Sequence, residues 1–325
     1  MITVEGLVEI YSDGTKAVDD ISFEVKEGEF FGFLGPNGAG KSTTIKVLTT
    51  LLRKTKGKIS VAGLDLDRSP AEIRKNIGVL SQETSLDVDL TGRENLRLQG
   101  RLQQMHGGAL EQRIDELLKL VQLEDAANKP AGRYSGGMRK RLDLASALIH
   151  SPKLLFLDEP TTGLDTQSRT AIWDYLEGLN KKEQLTIFLT TQYLEEADRL
   201  CNRLAVIDHG KLIAGGTPSE LKESVGGDTI TLSLKEISLR PKAKEILKAF
   251  QGVREVADSD EGIIVYVKNA GQITARIVTT LDHNGIQLSF LSISIPTLDD
   301  VFLRETGRRI RIDKLSRKET EPFLT

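Results

Sequence analysis

A glycine-rich segment near the amino terminus, Gly35–Thr43 (GPNGAGKST), has the residue types and spacing of a phosphate-binding loop. It follows the apolar run FFGFL and precedes the helical pattern IKVLTTLL. Glycines let backbone N–H groups turn towards phosphate oxygens, and a helix amino terminus favours an anion. Lys41 would add positive charge at the β- and γ-phosphates, and Ser42 would bind Mg²⁺. The predicted ATP-binding residues of the loop are Gly35, Pro36, Asn37, Gly38, Ala39, Gly40, Lys41, Ser42 and Thr43.

A second segment, LLFLDEP (Leu154–Pro160), ends an apolar strand with two adjacent carboxylates. Asp158 is placed to be a direct or indirect partner of Mg²⁺, and Glu159 is placed to orient or deprotonate an attacking water. A buried strand that ends in Asp-Glu is common by itself. Its combination with the loop predicts ATP hydrolysis.

The sequence SGGM (Ser135–Met138) lies about 20 residues before the carboxylates and resembles the signature sequence of ATP-binding-cassette (ABC) proteins. The family pattern reads L-S-G-G-Q, and this chain has Tyr134 and Met138 at the outer positions. Ser135 is predicted to cap the following helix, whose amino terminus would then face a phosphate. The resemblance implies that this phosphate belongs to ATP held by a second copy of the chain. The predicted contacts to that ATP are Ser135, Gly136, Gly137 and Met138.

Three further positions resemble functional residues of the family. Gln82, at the end of the run IGVLSQ, resembles the glutamine that contacts Mg²⁺ and water and responds to the membrane partner. Asp165, in TTGLD, resembles the aspartate that crosses the interface between the two copies. Tyr11, at the end of the first predicted strand, matches the aromatic residue that stacks on adenine.

The chain departs from the family at the switch histidine, where it has Gln192 in the segment TTQYLEEAD. A glutamine amide can donate a hydrogen bond to the γ-phosphate, but it carries no charge and does not titrate. We therefore expect Gln192 to keep the phosphate contact and to give slower or less pH-sensitive hydrolysis. A neutral replacement is the alternative.

Composition excludes several other classes of protein. The 325 residues carry a formal net charge of −3, which does not favour a nucleic-acid-binding surface. The single cysteine, Cys201, rules out an internal disulfide framework. No run approaches the ~20 apolar residues of a membrane-spanning helix, and the start, MITVEGLVEIYSDG, does not resemble a signal peptide. We expect a cytoplasmic protein that reaches the inner face of the membrane through a partner.

The pattern of apolar runs predicts an α/β fold in three parts. Strands and helices alternate over residues 1–225, with a mostly helical insert at about 88–150, and the unbroken apolar strands favour a mostly parallel, covered sheet. The ABC resemblance implies a P-loop NTPase cassette with an antiparallel β subdomain and a helical subdomain. Residues 226–307 are predicted to form a small α+β domain, and the basic segment 308–325 a flexible tail.

Weaker features point to a subfamily. The segments TTQYLEEAD, VIDHGKLIAGGTPSELK and PTLDDVFLRETGR together resemble the ATPases of daunorubicin-resistance-type multidrug exporters. The resemblance implies a separate integral-membrane permease, contacted through residues near Thr84–Glu94, and a cargo of drug or lipid-like molecules. Importer ATPases and soluble ABC ATPases that act on DNA or ribosomes are the alternatives. The insert lacks the sustained heptads expected of a DNA-repair member.

Overall fold

The computed structural model describes residues 1–259 and 262–306, which fall into two compact units. The first unit is Met1–Gly216, and the second begins at Thr217. The helix Pro218–Ser224 thus belongs to the second unit, whereas the sequence placed residues up to 225 in the first. The physical reason is its packing against the helix Leu298–Thr306 of the same unit. The predicted tail, 308–325, lies outside the described residues.

A six-stranded sheet forms the centre of the first unit, in the order β10-β9-β3-β8-β7-β6. Five strands are parallel, and β10 pairs antiparallel with β9 at one edge. Every residue of β3 and β7 is buried, which explains why these strands read as unbroken apolar runs. The strands are β3 (Phe30–Leu34), β6 (Ile77–Leu80), β7 (Leu154–Asp158), β8 (Thr186–Thr191), β9 (Arg203–Asp208) and β10 (Lys211–Gly216).

A second, antiparallel sheet covers part of this core, in the order β2-β1-β4-β5. Phe23 of β2 packs against Phe31, Phe33 and Phe188 of the central sheet, with ring centroids 5.5 to 6.0 Å apart. This aromatic cluster joins the two sheets. The strands are β1 (Ile2–Ile10), β2 (Lys16–Val25), β4 (Lys56–Val61) and β5 (Leu64–Asp65).

Helices complete the first unit. The predicted helical insert contains α3 (Gly92–Leu102), α4 (Gly107–Leu120) and α5 (Gly136–Ala147). Thr91 and Glu94 form a capping box at the start of α3, and Arg97 makes a bidentate pair with Glu111 at 2.6 and 2.8 Å between α3 and α4. The remaining helices are α1 (Lys41–Leu48), α2 (Pro70–Asn76), α6 (Thr166–Glu183) and α7 (Leu194–Leu200).

The second unit has an antiparallel sheet in the order β12-β13-β11-β14, with a βαββαβ succession of the ferredoxin-like type. It is an α+β unit, as the sequence indicated. The edge strand β12 was not predicted, because its sequence VREVADS carries charges instead of a clear apolar alternation. The elements are α8 (Pro218–Ser224), β11 (Asp228–Leu234), α9 (Arg240–Lys248), β12 (Val253–Ser259), β13 (Gly262–Val267), α10 (Ala270–His283), β14 (Leu288–Ser294) and α11 (Leu298–Thr306).

Among the helices of the described ranges, none combines the length and the apolar composition that a membrane crossing requires.

Candidate nucleotide site

The glycine-rich loop connects β3 to α1 and lies against neighbouring backbone. A Cβ atom on Gly35 would come within 2.3 Å of the carbonyl oxygen of Ile207. Gly40 caps α1 with φ of 109°, in the left-handed region, and a Cβ there would lie 2.5 Å from the carbonyl oxygen of Ala17. Both positions therefore require glycine for steric reasons.

Lys41, the first residue of α1, is almost fully buried and points back into the loop. Its Nζ donates to the carbonyl oxygen of Gly35 at 2.8 Å and to that of Pro36 at 3.1 Å. The same ammonium lies 3.2 Å from Oε1 of Glu159. The loop thus brings a positive charge to the carboxyl end of β7.

Ser42 and Asp158 meet beside this ion pair. Ser42 Oγ donates to Asp158 Oδ1 at 3.2 Å, and Thr190 of β8 donates to the same carboxylate oxygen at 2.5 Å. Hydroxyl and carboxylate oxygens are the ligands that Mg²⁺ prefers, and a nucleotide site supplies further oxygens from phosphate and water. The described residues contain no group of three or more histidine, cysteine or acidic side chains that could enclose a metal alone. The donor set therefore fits an ion shared with a nucleotide.

Glu159 follows β7 and has φ of +49°, an unusual backbone conformation for a residue with a side chain. Its carboxylate accepts hydrogen bonds from Thr162 Oγ1 at 3.2 Å and faces Lys41. Only 7 % of the residue is exposed. The strained backbone and the two contacts fix the carboxylate at the carboxyl end of β7.

A cavity of about 1120 Å³ opens over these groups. It brings together residues from six segments that are far apart in the sequence. Its walls include Tyr11, Asn37, Gly38, Gly40, Lys41, Ser42, Thr43, Gln82, Glu159 and Gln192.

The three predicted residues outside the loop and the carboxylates reach this cavity in different ways. The hydroxyl group of Tyr11 lies 2.9 Å from Thr43 Oγ1, and the ring is partly exposed. Gln82 is exposed and follows β6 by two residues, so it lies in a loop and not at the end of the strand. Gln192 is 94 % buried, and its Oε1 has no hydrogen-bond partner among the described residues.

The signature residues and Asp165 do not line this cavity. Ser135 caps α5 and accepts a hydrogen bond from Met138 N at 3.2 Å, as predicted. Asp165 caps α6 and accepts from Ser168 N at 2.9 Å. A Cβ on Gly137 would lie 2.7 Å from Ser168 Oγ, so these two helix amino termini are close neighbours. The amino termini of α5 and α6 therefore form a surface of the first unit that is separate from the cavity.

Several residues of the cavity wall were not predicted from the sequence. Lys16, Tyr193 and His209 line it but belong to no motif. His209 has φ of +47° and precedes Gly210, so the His-Gly pair between two apolar runs was a signal for a tight turn there. Neither Lys16 nor Tyr193 has a sequence signal that separates it from an ordinary loop residue.

Comparison with known proteins places this geometry in a family. The family model described as ABC transporter matches residues 18–162, and the model described as ATP-binding protein DrrA1-3-like, C-terminal domain, matches residues 216–306. The chain is 43 % identical to the daunorubicin resistance ATP-binding protein DrrA2 of Streptomyces coeruleorubidus, over 90 % of this chain and 91 % of that protein. It is 44 % identical to the daunorubicin/doxorubicin resistance ATP-binding protein DrrA of Streptomyces peucetius, over 94 % of this chain and 92 % of that protein.

A solved structure agrees with the fold of the first unit. A dimeric ATP-binding cassette in a post-hydrolysis state, bound to ADP and phosphate, superposes with a TM-score of 0.61 and 27 % identity. The match covers 67 % of this chain and 98 % of that one. The predicted fold class and the predicted family resemblance are therefore confirmed. The chain belongs to the ABC transporter ATPases, as an ATP-binding and ATP-hydrolysing subunit of the DrrA-like exporter type.

Proposed function

We propose that the cavity is the ATP site, with Lys41 at the β- and γ-phosphates and Glu159 at the attacking water. The observation that carries this assignment is the convergence of the Lys41–Glu159 pair and the Ser42–Asp158 hydrogen bond on one cavity wall. Phosphoryl transfer needs a positive charge at the phosphates and a group that orients water, and these residues supply both.

In this proposal the loop residues bind and orient the phosphates. Lys41 Nζ exchanges its present acceptors, including Glu159, for phosphate oxygens, and the backbone N–H groups at Gly38 and Gly40 add further donors. Glu159 is then free to accept a hydrogen bond from water and to receive its proton. Gln192 uses its amide N–H to contact the γ-phosphate, and the ring of Tyr11 stacks on adenine.

Ser42, Asp158 and Gln82 are proposed to hold Mg²⁺ with ATP. Ser42 and Asp158 share a hydrogen bond, and Ser42 and Gln82 line the same cavity. When bound, the ion would neutralise the charge that develops on the phosphates. Thr190 holds Asp158 in place from the neighbouring strand.

A second copy of the chain is proposed to complete each ATP site. Ser135, Gly136, Gly137 and Met138 lie at the amino terminus of α5 and do not face the chain's own cavity, yet that terminus suits a phosphate. Two copies arranged head to tail would bring this terminus to the partner's ATP. Asp165, beside it on α6, would then lie in the interface.

A separate membrane permease is the proposed partner of the helical insert. A cleft of about 310 Å³ lies between β6, the segment after α1 and the insert, and its walls include Ser81, Ser85 and Gln99. Leu51 and Leu98, in or beside this region, are exposed apolar side chains. Because the wall residues Ser81 and Ser85 lie on either side of Gln82 in the chain, a permease segment seated there would be linked to the ATP site. Residues near Thr84–Glu94 form the proposed contact, which would hold the chain at the inner face of the membrane.

The cargo and the second unit are further parts of the proposal. The names of the two relatives connect those proteins with resistance to daunorubicin and doxorubicin. A drug or a lipid-like molecule is accordingly the proposed cargo here. The βαββαβ unit, with no group of metal-binding side chains among its described residues, is proposed to stabilise the dimer or to contact other subunits.

The test compares Lys41→Ala with Glu159→Gln in the full-length chain. Lys41→Ala should lose ATP binding, measured with a fluorescent ATP analogue. Glu159→Gln should keep that binding and lower phosphate release by about 10²-fold or more. Native phosphate release by Glu159→Gln would contradict the assignment of the catalytic carboxylate.

A further inference from the structure

A buried carboxylate that was assigned no role from the sequence lies beside the nucleotide site. Glu196, on α7, is fully buried, whereas its neighbour Glu195 is exposed. Oε1 of Glu196 accepts hydrogen bonds from Thr161 Oγ1 at 3.0 Å and from the indole N–H of Trp173 at 2.8 Å. Oε2 is buried and has no hydrogen-bond partner within the described part of the chain.

A carboxylate is an energetically unfavourable residue for a fully buried position. Burial raises the pKa of Glu196, and the hydrogen bonds from Trp173 and Thr161, together with the positive charge of Arg169, only partly oppose that effect. A buried carboxylate held by neutral donors contributes less to stability than an apolar side chain of the same size would. Packing alone therefore does not account for an acid at this position.

The carboxylate joins segments that carry proposed functional residues. Thr161 lies two residues after Glu159, in the turn where Glu159 has positive φ. Glu196 itself lies on α7, which begins at Leu194, so its helix holds the chain just after Gln192, whose side chain lines the cavity.

The third connection runs to the surface that is proposed to face a second copy. Trp173 lies on α6, whose amino terminus is capped by Asp165. One carboxylate oxygen thus holds the turn after β7 and α6 against α7. Glu159 needs such support, because a residue with a side chain keeps positive φ only when its surroundings hold it there.

We propose that Glu196 is a positioning residue that holds the Glu159 turn in register with Gln192 and with α6. It acts through Thr161 and Trp173 and does not touch the reacting atoms. The inference rests on the proposed role of Glu159. It adds that the geometry of the catalytic carboxylate depends on a hydrogen-bond acceptor outside the ATP cavity.

The chain provides its own reporter for this contact. Trp173 is the only tryptophan in the sequence, so intrinsic tryptophan fluorescence reports on the indole that donates to Glu196. Loss of this acceptor should shift the emission maximum. Glu195 offers a matched control, because it is the same residue type at the adjacent, exposed position.

The experiment compares Glu196→Leu, Glu196→Gln and Thr161→Val with the control Glu195→Leu, all as full-length chains. Glu196→Leu should lower kcat by about 10- to 100-fold with a KM for ATP close to the native value, because a small displacement of Glu159 affects the chemical step. Glu196→Gln should recover most of kcat and the native emission, since its amide oxygen still accepts from Thr161 and Trp173. Glu195→Leu should leave both unchanged.

A double variant separates positioning from general damage. If Glu196 acts through Thr161, Glu196→Leu combined with Thr161→Val should be no slower than Glu196→Leu alone. Multiplicative effects of the two substitutions, or native kcat in Thr161→Val, would overturn the proposal. Should Glu196→Leu not fold, Glu196→Gln and Thr161→Val decide by the same criteria. A failure of the proposed function would appear separately, as native turnover in Glu159→Gln.

Discussion

Lys41 Nζ lies 3.2 Å from Glu159 Oε1, and the two side chains expose only 4 % and 8 % of their surface. The pair joins the two ends of the proposed reaction, since one residue is assigned to the phosphates and the other to the attacking water. Each charge compensates the other in a place where water is largely excluded. In the proposed site, ATP binding would therefore separate the pair, so that the availability of Glu159 would depend on the presence of phosphate at Lys41.

The buried pair predicts a strongly non-additive effect on stability. Lys41→Met should lower the free energy of unfolding by about 3 kcal/mol, because it leaves the Glu159 carboxylate buried without its charge partner. The double variant Lys41→Met/Glu159→Gln should recover most of this loss, since no unpaired charge remains. Urea denaturation without nucleotide measures both values. Equal losses in the single and double variants would show that the pair is not coupled.

Gln192 predicts a change in pH dependence when it is replaced by histidine. Gln192 is buried in the cavity wall and carries no titratable group. An imidazolium in Gln192→His would make a charge-assisted contact to the γ-phosphate, which we expect to raise kcat by about fivefold, or about 1 kcal/mol. The gain should grow as the pH falls through the histidine pKa, near 6.5 when unperturbed, because the imidazole is charged below that value.

Steady-state ATPase rates between pH 6 and 8 check this prediction, with Gln192→Ala as the control. The alanine variant should be slower than the native chain and should gain no new pH-dependent step. Identical turnover and pH profiles for the native chain and Gln192→His would mean that the residue at this position does not sense the phosphate.

Local chemistry explains why the loop and the carboxylates were predictable from the sequence. The loop Gly35–Thr43 needs glycine where backbone atoms approach, and Asp158 ends a strand whose other residues are apolar, with Glu159 directly after it. These requirements act over a few neighbouring residues, so they leave a continuous pattern. The end of β6 was predicted less accurately, and Gln82 lies beyond it. Exposed polar residues such as Gln82 occur both in strands and in loops, so they do not mark where a strand ends.

Long-range contacts explain what the sequence did not reveal. In the helix LEEADRL, Glu195 and Glu196 are chemically identical, and only the fold buries Glu196 against Thr161 and Trp173. Strand β12 is similar, because its charged sequence becomes a strand through pairing with β13. Pairing and burial of this kind are decided by distant residues, and a single sequence gives no direct signal for them.

The position of Ser135 outside its own cavity predicts complementation between two inactive variants. Ser135→Arg should block the α5 amino terminus, and Lys41→Ala should disable the loop. In a mixed dimer, the intact loop of the first variant would meet the intact α5 of the second. A mixture should therefore show ATPase activity that neither variant has alone.

The matched control mixes Lys41→Ala with Glu159→Gln. Both substitutions affect the same cavity, so a mixed dimer contains no complete site, and the rates should stay at background. Activity in the first mixture and none in the second would support sites shared between copies. Equal ATPase rates in the two mixtures would contradict the proposal that two copies share each site.

The segment Thr84–Glu94 predicts variants that lose the permease while they keep ATP hydrolysis. Asp89 and Val88 are exposed, and neither lines the ATP cavity. Asp89→Lys and Val88→Asp should reduce recovery of the permease about tenfold, as expected when a contact at the centre of an interface is lost. Basal ATPase activity should stay near the native rate, because the Lys41–Glu159 pair is untouched.

Affinity purification of the tagged chain from native membranes measures this recovery. The expected partner is a chain with about six apolar spans and no cassette of its own. Glu27→Lys, a charge reversal at an exposed position outside the helical insert, is the control and should leave recovery unchanged. If Asp89→Lys and Val88→Asp recover the permease as well as Glu27→Lys does, the permease contact lies elsewhere on the chain. A loss confined to the two insert variants would instead indicate that ATP hydrolysis and permease binding use separate surfaces of the first unit. The segment from Gln82 to Thr91 would then connect these two surfaces.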